Sequence, residues 1–220
     1  MANDVRLCVM SMSARSAAGD DAAYLEWHSL DHLPEQYSIP SLVHGQRWVS
    51  TPACRAVRAP GDARLDGTDH VVQYLFAEPV APALDRFFAL GAELREAGRM
   101  PLLLPPVELG AYELRETRAT LVSASVLPWR PCRGVYIVVG EVPVSLEALA
   151  EVEGIAGAWV YAGGQFHPRL ADTSGRWLTV CYLDGDPAAV AAQLRDRVGG
   201  AMFAAPFVPL TAFDWSRSLP

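Results

Sequence analysis

A βαββαβ pattern that occurs twice in 220 residues predicts an α+β protein built from two like units in tandem. Three observations carry that expectation. The strand-like and helix-like segments follow the same order in each half. The closing segments match by eye: "PPVELGAYEL" (105–114) against "PFVPLTAFDW" (206–215), with Trp48-Val49 answering Trp159-Val160 and Glu78-Pro79 answering Asp186-Pro187. Strands such as "VVQYLFA" and "VYIVV" are apolar on both faces, so neither face of the sheets is expected to be wet.

In the first half, "DVRLCVMSM" (4–12) is a short, nearly continuous apolar run and reads as a buried strand. Residues 20–39 place Tyr24, Trp27, Leu30 and Leu33 at helical spacing, with Asp20 or Asp21 available as N-cap. "GQRWVST" (45–51) and "HVVQYLFAE" (70–78) are rich in β-branched and aromatic residues and read as strands. Between Pro82 and Gly98, Leu84, Phe87, Phe88, Gly91 and Leu94 share one side of a helix, and 107–116 closes the unit as a strand. The second half repeats this with strands at 134–142, 157–164, 176–184 and 207–215, and helices at 145–155 and 187–199. Copy 1 is assigned to residues 1–118 and copy 2 to 133–220. The aperiodic stretch 119–132, with two prolines, links them.

The copies differ in one place. Val5 to Trp48 spans 43 residues, whereas Val135 to Trp159 spans 24, so copy 2 lacks the counterpart of "WHSLDHLPEQYS". The topology tolerates that loss, and copy 2 is expected to carry no site.

Composition narrows the function. A net charge of −7 with scattered arginines argues against nucleic-acid binding. All eighteen basic residues are arginine, which excludes a Schiff-base lysine and a P-loop lysine. Cys8, Cys54, Cys132 and Cys181 form no C-x-x-C. No apolar run reaches the ~18–20 residues of a membrane span, and "MANDVRL" lacks a signal-peptide layout, so a cytoplasmic protein with no membrane partner is expected.

Two ferredoxin-like sheets packed face to face, helices outside, would bury both strand faces. The segment "EWHSLDHLPEQYSIPSLVHGQRWV" (26–49) resembles the EthD-like branch of the dimeric α+β barrel superfamily. The resemblance rests on its Trp, the His before Leu-Pro-Glu, the Ile-Pro and the Arg-aromatic pair. Ser41 stands where that branch usually has glycine. The resemblance implies an intramolecular pseudo-dimer, leaving a homodimer of the fused chain open. The superfamily includes monooxygenases, cyclases, isomerases, dehydratases and haem proteins, so the fold does not choose the reaction.

His28, His32 and Glu35 fall at i, i+4 and i+7, although Pro34 interrupts the helix there. With Trp27 and Leu30 against the sheet, His28 and Asp31 are expected to turn sideways or outward. His32 and Glu35 are then the residues expected to reach the space between helix and sheet. His32 is the candidate general acid or base, with Glu35 or Asp31 to orient it and Arg47 to steady an enolate or carboxylate. Trp27, His28, Tyr37, Trp48, Tyr74 and Phe76 are the candidate substrate-binding residues. Plainer roles stand beside these: a solvent-facing His28, an Arg47–Glu35 ion pair, a loop His44, and structural His70 and His167. A metal held by His28, His32 and Glu35, or a haem on His32, is a minor alternative, and the expectation is no metal or organic cofactor.

The expected function is therefore acid/base catalysis on a small apolar carbonyl or aromatic metabolite, as a cyclase, isomerase, dehydratase or small monooxygenase. The alternatives are a hydrophobic-metabolite binding protein and an association scaffold.

Overall fold

The computed structural model describes residues 4–59, 61–101, 103–217 and 219. Eight strands close into one barrel in the order β1-β3-β2-β8-β5-β7-β6-β4. They are β1 (Val5–Ser13), β2 (Leu42–Val49), β3 (His70–Ala77), β4 (Pro106–Ala119), β5 (Gly134–Gly140), β6 (Ile155–Gly163), β7 (Trp177–Leu183) and β8 (Phe203–Pro209). Each half thus contributes four neighbouring strands, ordered 4-1-3-2 and 8-5-7-6. The halves meet edge to edge: β4 pairs with β6 from Tyr112–Gly163 to Ala119–Gly157, and β2 pairs with β8 at Trp48–Pro209 and Val49–Val208.

The side-chain period of two explains the doubly apolar strands. Cys8, Met10 and Met12 of β1 join Trp48, Tyr112, Trp159, Tyr161, Tyr182 and Phe207 inside the barrel. Leu7 and Val9 alternate outward, with Val72, Tyr74 and Phe76 of β3, beneath α4 (Val80–Glu96). In the second half Tyr136, Val138 and Val160 face outward under α5 (Leu146–Ala150) and α6 (Pro187–Leu194). The interior is filled with side chains, so any ligand space lies outside the barrel wall.

Three elements differ from the sequence expectation. The helix over 20–39 is three pieces: α1 (Asp21–Trp27), a π-helical turn (His28–His32) and α2 (Leu33–Gln36). Pro34 lacks an N–H and its ring crowds the carbonyl four residues earlier, at Leu30; widening the preceding turn relieves that crowding, and Leu33 N–H reaches back to the His28 carbonyl. Asp20 makes no side-chain cap, and Asp21 instead accepts from Ser16 N–H. The strand expected over 45–51 runs instead from Leu42 to Val49, and a short α3 (Pro52–Ala56), capped by the Thr51 side chain, follows it.

The third difference is at the end of the chain, where β8 stops at Pro209. Residues 210–215, six of the ten in the 206–215 match, leave the sheet, while their counterparts 109–114 lie within β4. Having so little of β2 to pair with, the chain peels off, and Leu210 and Trp215 pack with Tyr24 and Leu25 of α1. Among the described residues no helix is long and apolar enough to cross a membrane.

Candidate functional site

A cavity of about 260 Å³ opens between α1, the π turn, α4 and the outer face of β1, β2, β3 and β4. Its floor comes from outward positions of the strands: Ser11, Arg47, Tyr74 and Leu109. Its walls are Tyr24, Trp27, His28, His32 and Gln36 on one side and Phe87, Phe88, Gly91 and Ala92 of α4 on the other. Arg95, Met100, Leu103 and Arg169 complete the lining. Gly91 leaves room, since a Cβ there would meet nothing within 4 Å.

The polar side is one connected set. Arg47, 5 % exposed, donates from Nε to His28 Nδ1 (3.3 Å) and from Nη2 to the Tyr24 hydroxyl (3.0 Å), and its guanidinium lies 4.9 Å from the Tyr24 ring centre. Because arginine only donates, His28 Nδ1 is the acceptor and the proton sits on Nε2, which donates to the Tyr74 hydroxyl at 3.1 Å. Burial, and then Arg47 and His32, hold the His28 pKa well below the ordinary value, so it is neutral. Burial likewise raises the Tyr74 pKa, keeping its hydroxyl protonated.

His32 stacks on Trp27 (ring centres 5.0 Å apart), and its Nε2 lies 2.7 Å from the Gln36 amide. With the amide turned so that its Oε1, otherwise unpartnered among the described residues, accepts from Nε2–H, the lone pair of the neutral ring is on Nδ1. Its Nδ1 is buried with no partner among the described residues. Burial and then Arg47 push its pKa down to about 4, against a smaller opposing pull from Asp31.

His32, His28, Arg47, Tyr74 and Trp27 therefore converge on the cavity, but two expectations about their surroundings fail. His28 faces inward and is 1 % exposed, while Leu30 is 50 % exposed. His28 follows Tyr24 by one turn of α1 and shares its inward face, which reverses the expectation of an outward His28; the π turn acts on the residues after it. Glu35 does not reach the cavity; with Asp31 it pairs Arg99 at the surface (3.1 and 2.7 Å), so neither carboxylate orients His32 or pairs Arg47.

Tyr37 also lies outside the cavity, its hydroxyl bridging the Gly45 backbone in both directions. Trp48 points into the barrel, on the opposite face from its neighbour Arg47. Phe76 packs under Phe87 and away from the cavity.

His44 belongs to β2 rather than a loop. His70 pairs with buried Asp21 at 2.8 Å, and His167 stacks on Phe88.

The residues that sequence reading missed as site components include Tyr24 and Gln36. Their signal was present: Tyr24, His28, His32 and Gln36 recur every fourth position. Arg169 carried no such signal, because it arrives from the loop between β6 and β7.

Among the described residues no group of three His, Cys, Asp or Glu side chains could hold a metal ion. A haem does not fit either. Both His28 nitrogens are engaged, and although His32 Nδ1 has no partner among the described residues, the space falls below the roughly 300–1,000 Å³ of ordinary ligand and cofactor pockets.

No family model matches the chain, and no curated protein resembles it in sequence. Solved structures do resemble it in fold. A candidate chlorite dismutase aligns at a TM-score of 0.52 and 12% identity, over 96% of this chain and 98% of its own. An anthrone oxidase-like protein aligns at 0.52 and 13%, over 96% and 93%. A candidate monooxygenase of Fusobacterium nucleatum aligns at 0.51 and 12%, over 94% and 93%. The chain has the fold of the dimeric α+β barrel proteins.

Proposed function

We propose that the chain is a small-molecule enzyme that moves a proton on an apolar carbonyl or aromatic metabolite without a metal or organic cofactor, in the type of the EthD-like branch. One observation carries the reading. In the cavity, a neutral His32 with an unpartnered ring nitrogen lies beside a hydrogen-bonded Arg47–His28–Tyr74 set.

With a pKa near 4, His32 is in its base form at neutral pH but is a weak base in the empty cavity. Proton transfer from substrate would create an anion and an imidazolium together. The anion offsets both the desolvation and the Arg47 repulsion that depress the pKa, so the set favours the charged pair over the neutral reactants. Arg47 and the Tyr74 hydroxyl face the developing oxyanion, while Trp27, Phe87 and Phe88 exclude water. Cyclisation, isomerisation, dehydration and oxygenation of a stabilised carbanion all begin with such a step.

The same low pKa favours a second reading, a binding protein for a hydrophobic metabolite, in which His32 remains neutral and only positions the ligand. The aromatic-walled cavity supports either over an association scaffold. In the first reading the two halves, 1–118 and 133–220 about the 119–132 linker, are a fused pseudo-dimer in a soluble cytoplasmic protein. Only the half with the longer helical segment keeps a site.

A thermal-shift series with small enolisable ketones and hydroxyarenes, followed by proton NMR in D2O, tests this on wild type and His32→Ala. The enzyme reading expects ligand-induced stabilisation and C–H exchange or product formation that the substitution abolishes. Stabilisation without chemistry points to the binding protein. Shifts indifferent to the substitution remove His32 from the site.

A further inference from the structure

We infer that the cavity takes a ligand that is already an anion when it binds: a planar aromatic carboxylate, with its charge on Arg47. This rests on the preceding reading of the same cavity as the ligand site and adds the class of ligand.

The charge balance of the lining carries it. Three arginines line the cavity, Arg47, Arg95 and Arg169, and no aspartate or glutamate does, in a chain whose net charge is −7. The carboxylates nearby are committed elsewhere: Asp31 and Glu35 to Arg99, Asp21 to His70, and Glu108 to Arg64 and Arg176. Arg47 therefore holds a buried positive charge whose only hydrogen-bond partners, among the described residues, are neutral: a tyrosine hydroxyl and an imidazole.

Burying a guanidinium without a counter-ion is unfavourable, and a group that stays charged under such conditions is completed by what binds it. Of the five guanidinium N–H donors, two are spent on His28 and Tyr24. The others suffice for the paired hydrogen bonds a carboxylate accepts.

The remaining walls set the shape. Trp27, Tyr74, Phe87 and Phe88 present aromatic surface around a space of about 260 Å³, the liquid volume of roughly nine waters. That suits one or two fused rings. A dianion or phosphate ester is disfavoured, because past Arg47 the inner walls are aromatic and Arg169 is already bonded to the Phe88 carbonyl and laid over the Phe88 ring.

The test is isothermal titration calorimetry of the full chain with 2-naphthoate and its neutral isostere 2-naphthamide, at pH 7.5 and low salt. Naphthoate is expected to bind at least about tenfold tighter than naphthamide, and Arg47→Gln is expected to erase the difference. Gly91→Leu, which fills the cavity from α4 and does not touch Arg47, is expected to abolish naphthoate binding, and it keeps the test valid if Arg47→Gln does not fold.

Equal affinities, binding of neither probe at millimolar concentration, or naphthoate binding that survives Gly91→Leu would each overturn the inference. Failure here is separable from failure of the proposed chemistry. Turnover of a neutral ketone that depends on His32 would keep the enzyme and discard the anionic ligand. Selective naphthoate binding with no chemistry on any substrate would do the reverse.

Discussion

Three of the chain's five histidines, His28, His32 and His70, are buried, and all have pKa values pressed below the ordinary 6.5, to about 4 for His32 and His70. Burial is the first cause in each case and Arg47 the second. The direction fixes the pH dependence of stability. Above pH 6.5 these groups are neutral both folded and unfolded. Below it the unfolded chain takes up protons that the folded chain refuses, so stability falls as pH drops from 6.5 toward about 4. Each group contributes at most about 1.4 kcal/mol per pH unit. Urea midpoints at pH 5 should lie clearly below those at pH 7.5, with a shallower dependence in His28→Gln; a flat profile would contradict the burial of these rings. At this scale the sequence was partly legible. It singled out His32 and Arg47, yet it set Trp48 beside Arg47 in one wall, although neighbours on a strand face opposite sides. The Asp21–His70 pair could not be read, because the partners sit in different elements and meet only in the folded barrel.

At the scale of the element, the π turn decides which side chains meet. A regular helix advances 100° per residue, so His28 and His32 would precess around it. The wider turn keeps Tyr24, His28, His32 and Gln36 along one edge of the cavity. Pro34→Ala restores the missing N–H and removes the ring that crowds the Leu30 carbonyl, so the segment can relax toward a regular α-helix. The expected result is unchanged or slightly higher stability, within about 1 kcal/mol, together with at least roughly tenfold weaker binding of any cavity ligand. Calorimetric affinity and urea unfolding on the same sample check both halves of that statement, and undiminished affinity would mean that the proline does not set the turn. The sequence showed the helix and its proline break. The extra residue in the turn was hidden, because hydrophobic spacing over so short a segment does not separate a π turn from a kink.

For the whole molecule, the decisive feature is closure. The doubly apolar strands were readable, and so was their order along the chain. What the pattern could not show was that the sheets join at their edges, since the hydrogen-bonded seams involve residues distant in sequence. The β4–β6 seam depends on Gly157, where an added Cβ would lie 2.4 Å from the Arg118 carbonyl and 2.8 Å from the Ala119 Cα. Gly157→Val should therefore force that seam apart and lower unfolding stability by about 2–4 kcal/mol, whereas Gly91→Ala, in open space on α4, should be neutral or gain up to about 1 kcal/mol. Equilibrium urea unfolding distinguishes the two, and a tolerated Gly157→Val would show that the seam can yield.

The loop between β6 and β7 lies across this arrangement. His167 stacks on Phe88, Arg169 reaches the Phe88 carbonyl and the cavity, and the Thr173 hydroxyl donates to the Ala111 carbonyl. The second half of the chain thus closes one side of a cavity whose floor and other walls come from the first, so a substitution at His167 or Arg169 is felt by Phe88 and in the space it borders.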